Sequence, residues 1–343
     1  MSGVRRLYLD RSPGEARGVV ALDGRPERLL IERADDSGRP RLGERWRGRV
    51  GRRAGLAGGA FLDLGFGPDA VMKGGRELPE GSGVEVEIVG EARAGKGPTA
   101  AFRKLSPGAP GRLAVLPPIE ARLQVFAPDA EIIEAAAARE AADLAEESAL
   151  ELSHRIGLGG ILTIESTRAL VAIDVDLAQA ADRGGSPEQL NRRAVEESAR
   201  LLRLKGFGGI VVIDLIGRPR DASALVELAK NAFQPDQPGV VFTPIGRFGT
   251  LELARPHRET PVVERLCDPD GRPSVQTMAL RLARRLEAEG RAAPGARLRA
   301  LAPSDVALAF TSLESAVAGL LGPRFTVVGE AGRPREAIEV MIW

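Results

Sequence analysis

"ALVAIDVD" (residues 169–176) and "GGIVVIDLI" (208–216) are two apolar runs that each stop on an aspartate, Asp174 in the first and Asp214 in the second. Between them, residues 186–205 carry a helix signature. Ser186 is an N-cap residue, Pro187 suits the first turn, Gln189 completes a capping box, and Gly206 ends the segment. Strand, helix, strand is a βαβ unit, which makes parallel strands joined by a right-handed crossover. Asp174 and Asp214 would then share the C-terminal edge of one sheet, where open α/β sheets bind ligands. If the strands are neighbours, they lie about 4.8 Å apart. Two carboxylates at that spacing repel unless a cation sits between them. Mg²⁺ suits the position, since it takes one or two carboxylates and leaves room for water and phosphate; Mn²⁺ is an alternative. Asp176, two residues on, points to the same side of an extended chain and offers a third oxygen ligand. A strand-ending aspartate can also simply open a turn. The turn is the stronger reading of one such aspartate; the matched pair brings the two readings near to even, and the metal reading requires the two strands to be adjacent.

Working outward, residues 4–33 read as hairpin-like β-structure and 34–40 ("ADDSGRP") as a turn-rich link. From 41 to 105, short strands separated by glycines suggest a small barrel of the OB type. The prolines of 107–118 mark the exit from it. Residues 130–151 are alanine-rich, free of proline and helical. "GGILTIES" (159–166) is a strand preceding the first Asp-ended one. A helix is expected near 221–232 and a strand at "GVVFTPIG" (239–246). The tail from 275 to 322 reads as mostly helical, closing on two strands, "RFTVVGEA" and "EAIEVMIW". The expected class is a multidomain α/β (α+β) protein.

With 343 residues, two to four compact units are expected, and 43% hydrophobic residues suffice for packed cores. Lys+Arg 48 against Asp+Glu 47 leaves only local patches to speak for or against nucleic acid. The single cysteine, Cys267, excludes a disulfide framework and a multi-cysteine zinc site within one chain. No signal-like N-terminal segment and no membrane-length apolar run is present, so a cytoplasmic protein without a membrane partner is expected.

The basic stretch comprises Arg39, Arg41, Arg45, Arg47, Arg49, Arg52 and Arg53, with Trp46 inside it and Phe61 just beyond. Arginines with aromatics on a small barrel fit a single-stranded nucleic-acid surface; a solvated arginine run in an arginine-rich protein is the competing explanation. "GEARAGK" (90–96) nearly matches a P-loop, but Gly97 stands where Ser or Thr would bind the metal and no helix follows, so it is set aside. His154 and His257 sit in no nucleophile pattern; surface or hydrogen-bonding roles are expected of both.

"GGILTIESTRALVAIDVD", "NRRAVEESARLLRLKGFGGIVVIDLI" and "GRFGTLELAR" together, in order and spacing, resemble the catalytic region of the ribonuclease E/G family. "RRLYLDRSPGEARGVVALDG" and "GGAFLDLGFGPDAVM" resemble that family's opening segment and its inserted OB-type domain. The resemblance implies an RNase H-like domain (1–36 with 107–158), an OB-fold domain (37–106), a DNase I-like catalytic domain (159–266), a linker (267–274) and a small C-terminal domain (275–343). It implies a Mg²⁺-dependent endoribonuclease that cuts single-stranded RNA by in-line attack of water. The metal aspartates fall on Asp174 and Asp214. Asp176 stands where the family usually has asparagine. Phe61 falls on an RNA-contacting aromatic, and Val71 replaces a second one. Lys96 lies in a loop that contacts phosphate, Arg47 and Arg49 join the RNA surface, and Arg247 and Phe248 match an "RFG" motif beside the active site.

Three departures follow. Only Cys267 remains of a zinc-binding cysteine pair, so no structural zinc and no zinc-linked tetramer are expected, leaving a monomer or homodimer. Too few residues follow Pro107 for a 5′-monophosphate sensor domain. Gly217 replaces an acid and the basic segment before "RFG" is thinned. Two alternatives therefore stand beside the nuclease: a non-catalytic RNA-binding protein on the same scaffold, and a metal phosphoesterase acting on small nucleotides.

Overall fold

The computed structural model describes residues 3–53, 58–74, 77–177 and 186–342. Among these the chain forms four β-sheets and eight α-helices, a mixed α/β protein of several units. The opening segment is an antiparallel meander of β1 (Arg5–Ser12), β2 (Glu15–Leu22) and β3 (Arg25–Arg33), as its alternating pattern and two tight turns dictate.

The glycine-rich region forms β4 (Arg45–Arg53), β5 (Gly59–Asp63), β6 (Ala70–Lys73), β7 (Gly83–Gly90) and β8 (Thr99–Leu105). Its sheet closes on itself, because β4 pairs with both β7 and β5. The proline-rich stretch read as an exit supplies a further strand, β9 (Gly111–Ala114), which pairs with β4. Alternation places Trp46, Val50, Leu62, Met72, Val86 and Ile88 inside the barrel. Trp46, read as part of the exposed basic stretch, is 3% exposed. Its Nε1 donates to Glu44 at 2.9 Å and the Arg112 guanidinium lies 5.0 Å from its ring. It is a core residue and offers no face to a base.

After the barrel come α1 (Ile119–Gln124), the short β10 (Ile132–Ile133) and α2 (Ala135–Leu150). The expected helix over 130–151 starts later than its composition suggests, because Ile132 and Ile133 pair in parallel with β1. Tertiary pairing overrides propensity there.

The second large sheet has the order β11-β12-β13-β14-β16-β15. Its strands are β11 (Ser153–Gly157), β12 (Gly160–Ser166), β13 (Leu170–Leu177), β14 (Gly209–Asp214), β15 (Val241–Phe242) and β16 (Thr250–Arg255). The crossover between β13 and β14 is α3 (Pro187–Lys205). Both arms of its capping box form, and Gly206 closes it at φ 72, a left-handed conformation that suits glycine. α4 (Ala222–Ala232) follows β14. The expected strand over 239–246 shrinks to the two residues of β15, while β11 is a strand that the sequence pattern did not reveal.

One face of this sheet is buried. Leu162, Ile164, Ile173, Val211, Ile213 and Leu251 pack with residues of α2, α3 and the N-terminal sheet into one core. The other face carries exposed Asp174, Asp176, Asp214 and Glu252.

The short α5 (Val262–Leu266) leads to the C-terminal unit: α6 (Val275–Ala292), β17 (Leu298–Pro303), α7 (Ser304–Phe310), α8 (Glu314–Leu321), β18 (Phe325–Glu330) and β19 (Glu339–Ile342). β17 is central, parallel to β18 and antiparallel to β19, and was concealed in a region read as helical. Trp343, the end of the expected last strand, lies outside the described residues. No single helix among the described residues is long and apolar enough to cross a membrane.

Candidate active site

β13 and β14 are adjacent and parallel, with Leu170 opposite Ile210 and Asp174 opposite Asp214. The condition that the metal reading needed is thus met. Forty positions apart in sequence, the two aspartates are direct cross-strand neighbours on the uncovered face. Asp176 joins them, within hydrogen-bonding reach of Asp174. Partial burial, then the Asp176 carboxylate and the Asp214 charge, push Asp174 above the usual carboxylate range. No arginine or lysine among the described residues pairs with any of the three.

The register extends the site across the sheet. Ser153 faces Thr163, Thr163 faces Asp174, Asp174 faces Asp214, and Asp214 faces Thr250. Five polar residues from five strands form one row. Thr163 and Thr250, which flank the carboxylates, were missed in the sequence. Their signal is alternation along β12 and β16, which becomes informative only once the register is known.

Thr250 also closes the turn that holds the "RFG" residues. Gly246 N donates to Thr250 O at 3.1 Å and Gly249 N to Gly246 O at 3.1 Å, leaving Arg247 and Phe248 at the tip. Phe248 is 87% exposed, and the Arg247 guanidinium has no hydrogen bond or ion pair among the described residues. Gly249, at φ 87, passes so close to Gly217 that a Cβ would lie 3.2 Å from the Gly217 carbonyl oxygen. Gly217 itself has φ 62. The two loops that rim the aspartates thus rest on glycines.

The barrel residues form a separate group. Phe61 is half-buried on β5, with the Arg52 guanidinium 4.9 Å from its ring. Val71, the position where the resemblance leads one to expect a second aromatic, is its direct cross-strand partner. Arg49 is exposed on β4; Arg47 is held to Ser106 Oγ at 3.2 Å. Of the other basic residues, Arg41 pairs with Glu32 and Arg45 with Glu85, so part of the stretch is internally neutralised. Lys96 stands at the foot of a two-residue turn, bridged to Arg93. Ala94 N at the tip of that turn donates to Glu264 at 2.6 Å, which docks the loop on the body of the protein.

Both histidines are more buried than expected. His154 Nε2 and His257 Nδ1 have no hydrogen-bond partner among the described residues. Burial, then Lys205 and Arg200, brings His154 down to about 4; burial, then Arg93 and Lys96, does the same for His257, to about 4. Both are neutral near pH 7. Cys267 is a free thiol that burial pushes up.

Whether the residues suit a divalent cation rests on the donor set. It consists of carboxylate oxygens only, which fits a hard ion. Two adjacent carboxylates open to solvent are what Mg²⁺ needs when water and substrate phosphate complete its shell. No group of three or more acidic, histidine or cysteine side chains among the described residues forms a ready-made cage. The site fits an open, substrate-completed ion.

Comparison with known proteins follows this geometry. Residues 114–258 match the profile of the Ribonuclease E/G family. Ribonuclease E of Escherichia coli (strain K12) is 39% identical over 115 residues, 32% of this chain and 11% of that protein. Ribonuclease E of Haemophilus influenzae is 38% identical over 115 residues, 32% of this chain and 12% of that protein. The Ribonuclease E/G-like chloroplastic protein of Arabidopsis thaliana is 34% identical over 122 residues, 33% and 12% of the two lengths. The resemblance seen in the sequence is borne out over this segment, which contains both aspartates. The matched stretch spans about an eighth or less of these relatives.

Proposed function

We propose that the chain is a Mg²⁺-dependent endoribonuclease that hydrolyses single-stranded RNA, with Mn²⁺ as a possible substitute. The observation that carries this reading is the in-register pair Asp174–Asp214 on adjacent parallel strands, exposed and without a counter-charge among the described residues. Asp174 and Asp214 would hold the ion, which when bound polarises a phosphoryl oxygen and acidifies water. Asp176, beside Asp174, would accept a hydrogen bond from the attacking water and orient it. Arg247 would donate to a non-bridging phosphate oxygen as charge builds there. Phe248 at the turn tip and Phe61 on the barrel would each stack on a base, with Arg47, Arg49 and Lys96 along the backbone. The ring order β4-β5-β6-β8-β7 supports an OB-type reading of the barrel. The RNase H-like assignment of the four-stranded N-terminal sheet and the DNase I-like assignment of the sheet that carries the aspartates rest on the resemblance.

Non-catalytic RNA binding is the second reading. The acid-free rim at Gly217 and the paired arginines of the barrel favour it. One experiment separates the two. An AU-rich single-stranded RNA with 5′ hydroxyl or 5′ monophosphate is incubated with the protein in Mg²⁺ or EDTA, beside the Asp174→Asn/Asp214→Asn double variant. The expected result is internal cleavage that needs Mg²⁺ and both aspartates, at equal rates on the two RNAs. Binding without cleavage by the unaltered protein would sink the nuclease.

A further inference from the structure

Away from the aspartates, a cavity of about 250 Å³ opens where the body of the protein meets the barrel. Its walls come from β3 (Arg28), from the chain entering the barrel (Arg39, Arg41), from the chain leaving it (Leu116) and from α1 and its end (Arg122, Phe126). Thr260 closes the side next to the large sheet.

Arginines dominate this lining, and they are not equally satisfied. Arg265 is held by Asp36 at 2.8 and 2.7 Å, and Arg203 by Asp236 at 2.7 Å. Arg41 and Arg122 share one carboxylate, Glu32. Arg39 is in no ion pair among the described residues; its guanidinium donates to the Thr260 hydroxyl. Arg28 is the extreme case. Its side chain is 12% exposed, its nearest acid is Glu259 at 3.8 Å, and it makes no side-chain hydrogen bond to any described residue. It lies instead over the Phe126 ring, 4.6 Å from the centroid.

Three carboxylates, Asp36, Glu91 and Glu259, share the lining with these arginines; Glu91 accepts within the same wall from Leu42 N, Thr260 N and Thr260 Oγ1 at 3.0–3.2 Å. A guanidinium has five donors, and burying them unmade is costly. Burial brings Arg28, Arg39 and Arg122 below the ordinary arginine range, the direction expected of cations short of counter-charge.

We propose that this cavity binds a small phosphate monoester. A dianion would take up the free donors of Arg28 and Arg39 and the half-share of Arg122; the Thr260 hydroxyl, whose proton goes to Glu91 or the Ala92 carbonyl, serves only to orient Arg39. Guanidinium forks match phosphate oxygens two at a time. Phe126 and Leu116 give the rest of the cavity an apolar wall, which calls for an organic body on the anion rather than bare phosphate. At about 250 Å³ the cavity lies below the usual range for organic-ligand sites, which limits the ligand to a compact molecule, a nucleoside monophosphate at the largest. Because both chain crossings of the barrel line the cavity, the ligand would tie the barrel to the body. The site shares no residue with the aspartate edge, so the inference stands or falls separately from the nuclease.

The test is calorimetric titration of the full chain with AMP, inorganic phosphate and adenosine. AMP is expected to bind with Kd between about 1 µM and 1 mM, more tightly than phosphate, with no binding of adenosine. Arg28→Gln and Arg39→Gln should each weaken AMP at least about tenfold, a loss of about 1.4 kcal/mol. Arg45→Gln, on the barrel and outside the cavity, should leave the affinity unchanged. If Arg28→Gln fails to fold by circular dichroism, Arg39→Gln on the connecting loop carries the test. AMP affinity that is absent, equal to that of adenosine, or untouched by Arg28→Gln and Arg39→Gln would overturn the proposal.

Discussion

Two clusters of carboxylates in this protein have opposite surroundings. At the joint between the N-terminal sheet, α2 and the C-terminal unit, Arg17 is fully buried and binds Asp10 at 2.6 Å, Glu146 at 2.6 Å and Asp143 at 2.7 Å. Arg284 reaches Glu15 and Glu146, Arg281 reaches Glu146 at 3.0 Å, and Arg139 spans from Asp10 to Glu287. Burial opposes the Glu146 charge, but Arg284, Arg17 and Arg281 together hold its pKa below the usual range. At the open face of the large sheet, Asp174 shifts the other way, with carboxylates as its charged neighbours. The fold neutralises the acids it uses as fasteners. It leaves three others to repel, on a face that solvent reaches. A charge cluster that costs stability and is not paired internally is suited to a partner from outside.

The comparison breaks most visibly if the joint is not a fastener. Arg17→Met would remove the buried cation that Asp10, Asp143 and Glu146 share, leaving Asp10 only Arg139 and Glu146 only Arg281 and Arg284, and about 3 kcal/mol of unfolding free energy, the low end for breaking a buried pair, should be lost in urea titration. A loss under about 1 kcal/mol would show that water reaches the joint and that the contrast is false.

Asp174→Asn and Asp214→Asn should do the reverse. Each should lower Mg²⁺-dependent cleavage by roughly 10²–10³-fold, the scale of losing a main electrostatic contact to the transition state. Urea stability should be kept or rise slightly, since a repulsion is removed. Added Mg²⁺ should raise the melting temperature of the unaltered protein and not that of the double variant. Equal Mg²⁺ stabilisation of both would place the ion elsewhere.

Acid sharpens the contrast through His154. Its pKa in the fold is about 4, below the ordinary 6.5, so unfolded chains bind the proton first. Stability from this group is full above pH 6.5 and is lost as pH falls from 6.5 toward 4, by on the order of 3 kcal/mol. His154→Gln should flatten that part of a stability–pH profile; an unchanged slope would assign it to other groups.

Phe61→Ala should weaken single-stranded RNA binding by about 1–3 kcal/mol, and Arg49→Gln should lower the salt slope by about one. Fluorescence anisotropy at several salt concentrations reads both. The smallest effect is expected for Asp176→Asn, which restores the residue usual in the resembling family: a change in cleavage rate within about tenfold. A loss as deep as that of Asp174→Asn would promote Asp176 from orienting water to holding the ion.

Much of this was legible in the chain. Ser186, Pro187, Gln189 and Gly206 mark the limits of α3 by local chemistry alone, and the apolar runs around Asp174 and Asp214 announce two buried strands. β11 and β17 were not legible. β11 is short, with only His154 and Ile156 turned inward, and β17 is surrounded by helix-forming sequence; each is a strand because a neighbouring strand pairs with it. Trp46 misled for the same reason. Its arginine neighbours described one face of β4, while alternation had placed the indole on the other.

The sequence by itself determined the local signals: caps, turns, strand-ending acids and a mixed α/β class. These depend on residues a few positions apart, where backbone sterics and side-chain hydrogen bonding act directly. Only the tertiary structure decided that Asp174 faces Asp214, that Thr163 and Thr250 flank them, and that Arg28, Arg39 and Arg122 share one cavity. Those proximities depend on sheet order and register, which are set by how distant apolar faces bury one another, and no short stretch of sequence contains that information.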